Sequence, residues 1–112
     1  MGIQKWSDDI ILVNLTPEPN LGEELQTVIG MLKEGADSDV VVDFGDVDIL
    51  TSSSIAKLLR LRKTAIDCDH RLIFSTVSPK TKNIFAVTGL DNVFEFVDDQ
   101  FVALAGLQMV PE

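Results

Sequence analysis

The run Val40-Val41-Val42-Asp43-Phe44 does most to limit what this chain can fold into. Three β-branched residues in a row, without polar alternation, describe a short strand buried in the middle of a sheet. Helical patterns stand on both sides of it. Upstream, Leu21, Leu25, Val28, Ile29 and Leu32 recur at helical spacing, with Glu23, Glu24, Gln26 and Lys33 on the opposite side. Gly35 is placed to end that helix in a left-handed cap. Downstream, a helix from about Ser52 to Cys68 carries Ile55, Leu58, Leu59, Leu61, Ala65 and Ile66.

The same alternation extends in both directions. Ile10-Ile11-Leu12-Val13 is a β-rich run that stops at Thr16-Pro17-Glu18-Pro19-Asn20, where proline forbids further pairing. Arg71 to Ser75 forms another strand. Ser78-Pro79 has the form of a helix start, cap then first-turn proline, and Gly89 closes that helix after Ile84, Phe85 and Val87. Val93 to Val97 is a last strand, with Phe94 and Phe96 on one face and Glu95 on the other. Phe101 to Leu107 completes the chain as a helix. Strands alternating with helices predict an α/β sheet whose crossover pairs run parallel. Phe44, Phe74, Phe94 and Phe96 belong to the core. Phe85 and Phe101 are placed there too, with exposure on a partner surface as the alternative.

With 112 residues, 46% of them hydrophobic, and no repeat or long linker, residues 1–112 are expected to fold as one domain. Eighteen acidic against nine basic residues give a net charge of −9. That balance disfavours nucleic acid and anionic membrane surfaces, both of which need clustered positive charge. The single cysteine, Cys68, excludes an internal disulfide and fits a reducing compartment. Met1 to Asp9 lacks an apolar signal core, and no run approaches the roughly 18 residues of a membrane helix. A cytoplasmic protein is the expectation.

The chemistry-bearing stretch follows the central strand. Asp43 to Leu50 is a short acidic loop, and Thr51-Ser52-Ser53-Ser54-Ile55 opens the next helix. Helix N-termini carry unpaired N–H groups and partial positive charge, so they hold anions. One hydroxyl residue there is an ordinary cap, contributing about 0.5–2 kcal/mol; four in a row exceed that need. A phosphoserine would be tolerated at this position and would bring about −1.5 to −2 charges beside Asp43, Asp46 and Asp48. Lys57, Arg60, Arg62 and Lys63 supply four of the nine basic residues. Lys57, Arg60, Lys63 and Thr64 share a polar face, either a solvated surface or a strip that docks an acidic patch. Arg62 points among Leu58, Leu59 and Ile66, where it either snorkels past the core edge or pairs with a carboxylate.

Catalytic signatures are weak. Ser54-Ile55-Ala56-Lys57 matches S-x-x-K, without the Ser-Asp-Asn and Lys-Thr-Gly elements such enzymes need. His70 follows Asp67-Cys68-Asp69 in a polar turn, where a solvated loop residue is expected. One His and one Cys make no zinc cluster, and no glycine-rich phosphate loop is present, so neither a cofactor nor a metal is called for.

From about residue 8 to 107, the order of elements resembles the STAS domains of bacterial anti-sigma factor antagonists and of sulphate transporter tails. The residues that carry the likeness are Val40 to Ile55, Val77-Ser78-Pro79 and Thr88-Gly89-Leu90. The resemblance implies a mixed sheet of four or five strands with helices mainly on one face. It places Ser53 on the family's phosphorylated serine, with Ser52 as second choice. Thr51, Ser52, Ser53, Ser54, Lys57, Arg60 and Lys63 would meet the partner, an anti-sigma factor with serine kinase activity, and a phosphatase would reverse the modification. Here Thr51 stands in place of the family's aspartate and Ser54 in place of its glycine. These departures motivate an alternative: a phosphorylation-independent scaffold, or the soluble subunit of a transporter or signalling complex.

Overall fold

The Val40–Phe44 run sits at the centre, as its composition requires. In the computed structural model, which describes residues 2–108, the chain order is β1 (Ile3–Ser7), β2 (Ile10–Asn14), α1 (Leu21–Lys33), β3 (Asp39–Asp43), α2 (Ser52–Asp67), β4 (Leu72–Ser75), α3 (Pro79–Val87), β5 (Glu95–Val97) and α4 (Gln100–Gln108). The five strands lie in the order β1-β2-β3-β4-β5, with β3 in the middle. β2, β3, β4 and β5 are parallel, with Leu12 opposite Val41 and Val41 opposite Ile73. β1 is antiparallel to β2 and makes the sheet mixed. That strand was not legible in the sequence. Its Gln4, Lys5 and Trp6 are exposed, so an edge position leaves no apolar run to detect.

Strand alternation divides the core into two unequal layers. Ile11, Val13, Val40, Val42 and Phe74 face α1, α2 and α3, whose Leu25, Ile29, Leu58, Leu61 and Phe85 complete the main core. Phe74 stacks on Phe94 at 4.6 Å and lies 4.9 Å from Phe44, with Phe85 closing the cluster. Ile10, Leu12, Val41 and Ile73 face the other way, covered only by Ala103, Leu104 and Leu107 of α4. Three helices on one face and one on the other match the expected architecture. Gly35 and Gly89, with φ of 101° and 76°, follow α1 and α3 as expected. Among the described residues no helix is long and apolar enough to cross a membrane.

Four readings are corrected. The last strand is shorter than Val93–Val97, beginning at Glu95, although Phe94 still packs in the core. Glu24 is buried, because its carboxylate accepts the backbone N–H groups of Gly2 and Thr16, both at 2.9 Å. Phe101 is 79% exposed: α4 is apolar on all sides, and only Ala103, Leu104 and Leu107 can reach the sheet. His70 is largely enclosed rather than solvated, its two ring nitrogens 2.8 Å from Asp37 Oδ1 and 3.2 Å from Asp39 Oδ1. Phe85, by contrast, is fully buried as expected.

Candidate functional site: the entrance of α2

Parallel strands deliver their following loops to one edge of the sheet, and α2 begins there. Asp43, the last residue of β3, is held by Ser75 Oγ at 2.9 Å and Thr76 Oγ1 at 2.6 Å, and it accepts the Gly45 N–H at 2.9 Å. The acidic loop therefore leaves β3 in a fixed direction. Val47 anchors its middle: the side chain is buried, and its carbonyl accepts from Thr81 Oγ1 on α3 at 3.3 Å. Asp46, Asp48 and Ile49 are left exposed.

Thr51 is the cap of α2. Its backbone is extended, and its Oγ1 accepts the Ser54 N–H at 3.1 Å. The three serines are then the first three helical residues, and they divide into two kinds. Ser54 is buried, and its hydroxyl donates to Glu18, with Oε2 at 3.0 Å and Oε1 at 3.1 Å. A serine has one proton to give, so across the 3.0 Å contact between Thr51 Oγ1 and Ser54 Oγ the threonine is the donor. Glu18 thus ties the loop between β2 and α1 to the start of α2, over 36 residues of sequence. Ser52 and Ser53 are exposed, and among the described residues their hydroxyls have no protein partner. At these two positions the backbone N–H groups also lack intrahelical acceptors.

A cleft of about 220 Å³, lined by Pro17, Glu18, Asp46, Asp48 and Ile49, adjoins this entrance. Ile49 is 63% exposed, an apolar side chain offered within an acidic rim. Sequence reasoning missed both Glu18 and Ile49. The only signal for Glu18 was its position in the unusual Thr16-Pro17-Glu18-Pro19 loop.

The basic residues separate by role. Lys57 is half-buried and lies over the first turn of α1: a Cβ on Gly22 would come within 2.9 Å of its Nζ. Arg60 is exposed. Lys63 is exposed and paired with Asp67 at 2.9 Å, which reduces its free charge. Arg62 takes neither expected course. Its Nε donates to the Val93 carbonyl at 2.9 Å, clamping α2 to the segment before β5. The structure therefore brings Thr51, Ser52, Ser53 and Ser54 together with Glu18, sets Lys57 against α1, and leaves Arg60 and Lys63 further along the helix.

This sheet, with a hydroxyl-rich helix entrance at its loop edge, defines a STAS domain. The family described as "Mlab, STAS domain" matches residues 20–108, and the chain belongs to it. No curated protein matches it in sequence. Solved structures match in fold. An anti-sigma-factor antagonist (STAS) domain protein from Planctomyces limnophilus is 18% identical, covering 95% of this chain and 97% of that one, with a TM-score of 0.79. The unphosphorylated form of the Bacillus anti-sigma factor antagonist SpoIIAA is 14% identical, covering 96% and 97%, with a TM-score of 0.78. A sulfate transporter family protein from Wolinella succinogenes is 15% identical, covering 90% and 84%, with a TM-score of 0.73.

Proposed function

We propose that this protein is a binding switch of the anti-sigma factor antagonist kind, a single cytoplasmic domain that recognises a partner and performs no catalysis. Unphosphorylated, it binds a kinase-type anti-sigma factor through the entrance of α2. Phosphorylation of Ser53 ends that binding, and a phosphatase restores it.

One observation carries the proposal. Thr51 does the capping, so the exposed hydroxyl of Ser53 serves no structural bond among the described residues. A phosphate there would add about −1.5 to −2 charges close to Glu18 and the Asp46–Asp48 loop. A partner packed on Ile49, Ser52 and Ser53 would then have to desolvate that charge, which is costly without a compensating group. Lys57, set against α1, and the exposed Arg60 further along α2 are the counterparts offered to acidic partner groups. The likeness in fold to SpoIIAA, whose structure is known in unphosphorylated and phosphorylated forms, supports the reading.

The experiment is incubation with the cognate serine kinase and ATP, followed by phosphosite mapping of wild type and Ser53→Ala. Phosphate should map to Ser53 and disappear in the variant. Undiminished phosphate in Ser53→Ala would place the acceptor elsewhere.

A second reading is favoured by Thr51 and Ser54, which replace the family's aspartate and glycine and are tied up with Glu18. In this reading the entrance is a fixed docking surface, and the protein is a phosphorylation-independent scaffold or the soluble subunit of a transporter or signalling complex. The fold likeness to a sulfate transporter family protein is compatible with it. Recovery of a membrane transporter in a pull-down from cells, without a kinase or sigma regulator, would favour it.

A further inference from the structure

On the opposite face of the sheet, α4 has no ionisable residue from Gln100 to Gln108. Phe101 projects from it 79% exposed and Val102 46% exposed. Beside Phe101 runs a cleft of about 280 Å³ between α4 and edge strand β1, lined by Trp6, Gln100, Phe101, Leu104 and Ala105. The outer side of the helix is open at Gly106, where an added Cβ would meet nothing within 4 Å.

We propose that this flank is a homodimer interface, in which Phe101 of each copy enters the α4–β1 cleft of the other. Two features select a second copy as the occupant. A projecting ring and an apolar cleft lie side by side on one patch, which is what a two-fold, self-complementary contact requires. The charge distribution points the same way. With 18 acidic against nine basic residues, most approaches of one copy to another bring like charges together, whereas α4 itself carries no charge from Gln100 to Gln108, Asp98 and Asp99 standing just ahead of it. An anionic lipid surface is disfavoured by the same excess of acid, including Asp98 and Asp99 immediately before the helix.

Trp6 is the only tryptophan in the chain and lines the cleft, so its fluorescence reports occupancy. The test is sedimentation velocity and Trp6 emission on the full chain, in a concentration series up to about 1 mM, so that a dissociation constant as weak as millimolar is detected. We expect a monomer–dimer equilibrium, with Trp6 emission shifting to shorter wavelength and resisting acrylamide quenching as the dimer forms. Phe101→Asp should weaken dimerisation at least tenfold while its melting temperature stays near that of wild type, because the side chain is exposed. Val87→Asp, an equally exposed apolar site (74%) on α3 across the sheet, should dimerise as wild type does. A wild type that stays monomeric to the top of the series overturns the proposal. So does a dimer indifferent to Phe101→Asp, or co-sedimentation of a monomer with phosphatidylcholine vesicles.

Discussion

Helices α2 and α3 begin in nearly the same way, and the few atoms by which they differ isolate what is particular to α2. Each has a hydroxyl cap in extended backbone, Thr51 or Ser78, that accepts the N–H three residues on at 3.1 Å. Each has a buried hydroxyl at that third position, Ser54 or Thr81, bonded across the fold to Glu18 or to the Val47 carbonyl. Between cap and third residue the two diverge. In α3 the intervening residues are Pro79 and Lys80, and in α2 they are Ser52 and Ser53. Capping and tethering therefore account for Thr51, Ser54, Ser78 and Thr81 alike. They leave two exposed serines on α2 whose hydroxyls have no partner among the described residues, and α3 shows that a stable helix start does not need them.

That parallel can be broken by experiment. Thr81→Val should be the most damaging change at either entrance, because it leaves the Val47 carbonyl inside the fold without its donor. A loss of about 1–3 kcal/mol is expected in denaturant unfolding. Removing either cap, by Thr51→Ala or Ser78→Ala, should cost about 1 kcal/mol, near 4 °C in melting temperature for a domain of this size. Unequal losses at the two caps would show that the helix starts are not equivalent. Ser54→Gly should destabilise by about 0.5–1 kcal/mol through helix propensity, and it releases Glu18 from α2. If the tether also holds the docking surface in shape, partner affinity falls in Ser54→Gly and in Glu18→Gln, but not in Ser78→Ala. The smallest effect belongs to Ser53→Ala, which should stay within about 0.5 kcal/mol of wild type.

The same two entrances show what was readable in the sequence. Ser78 was identified as a cap because Pro79 fixes the first helical position. At α2 four consecutive hydroxyl residues offer no such marker. The cap was settled by the backbone of Thr51, which is extended with ψ of 164° just before the helical turn. The parallel strands and the amphipathic helices α1 and α2 were legible because their patterns are local. Partners far apart in the chain left no trace: Glu18 with Ser54, Glu24 with Gly2, and Arg62 with Val93 are separated by 36, 22 and 31 residues. β1 escaped as a half-polar edge strand. For Phe101 the sequence favours the core and leaves a partner surface open, because a helix apolar on every side does not reveal which side meets the sheet.

The central claim is that Ser53 is a seat for charge and not part of the helix cap. The most direct measurement is the pair of melting temperature and affinity for the proposed partner, a kinase-type anti-sigma factor, taken on wild type and Ser53→Asp. An acid in the first turn of a helix is favourable by about 0.3–1 kcal/mol, so the melting temperature should hold or rise slightly. Affinity should fall at least tenfold, because the carboxylate would be desolvated in the interface. Equal affinity of wild type and Ser53→Asp for that partner would contradict the account.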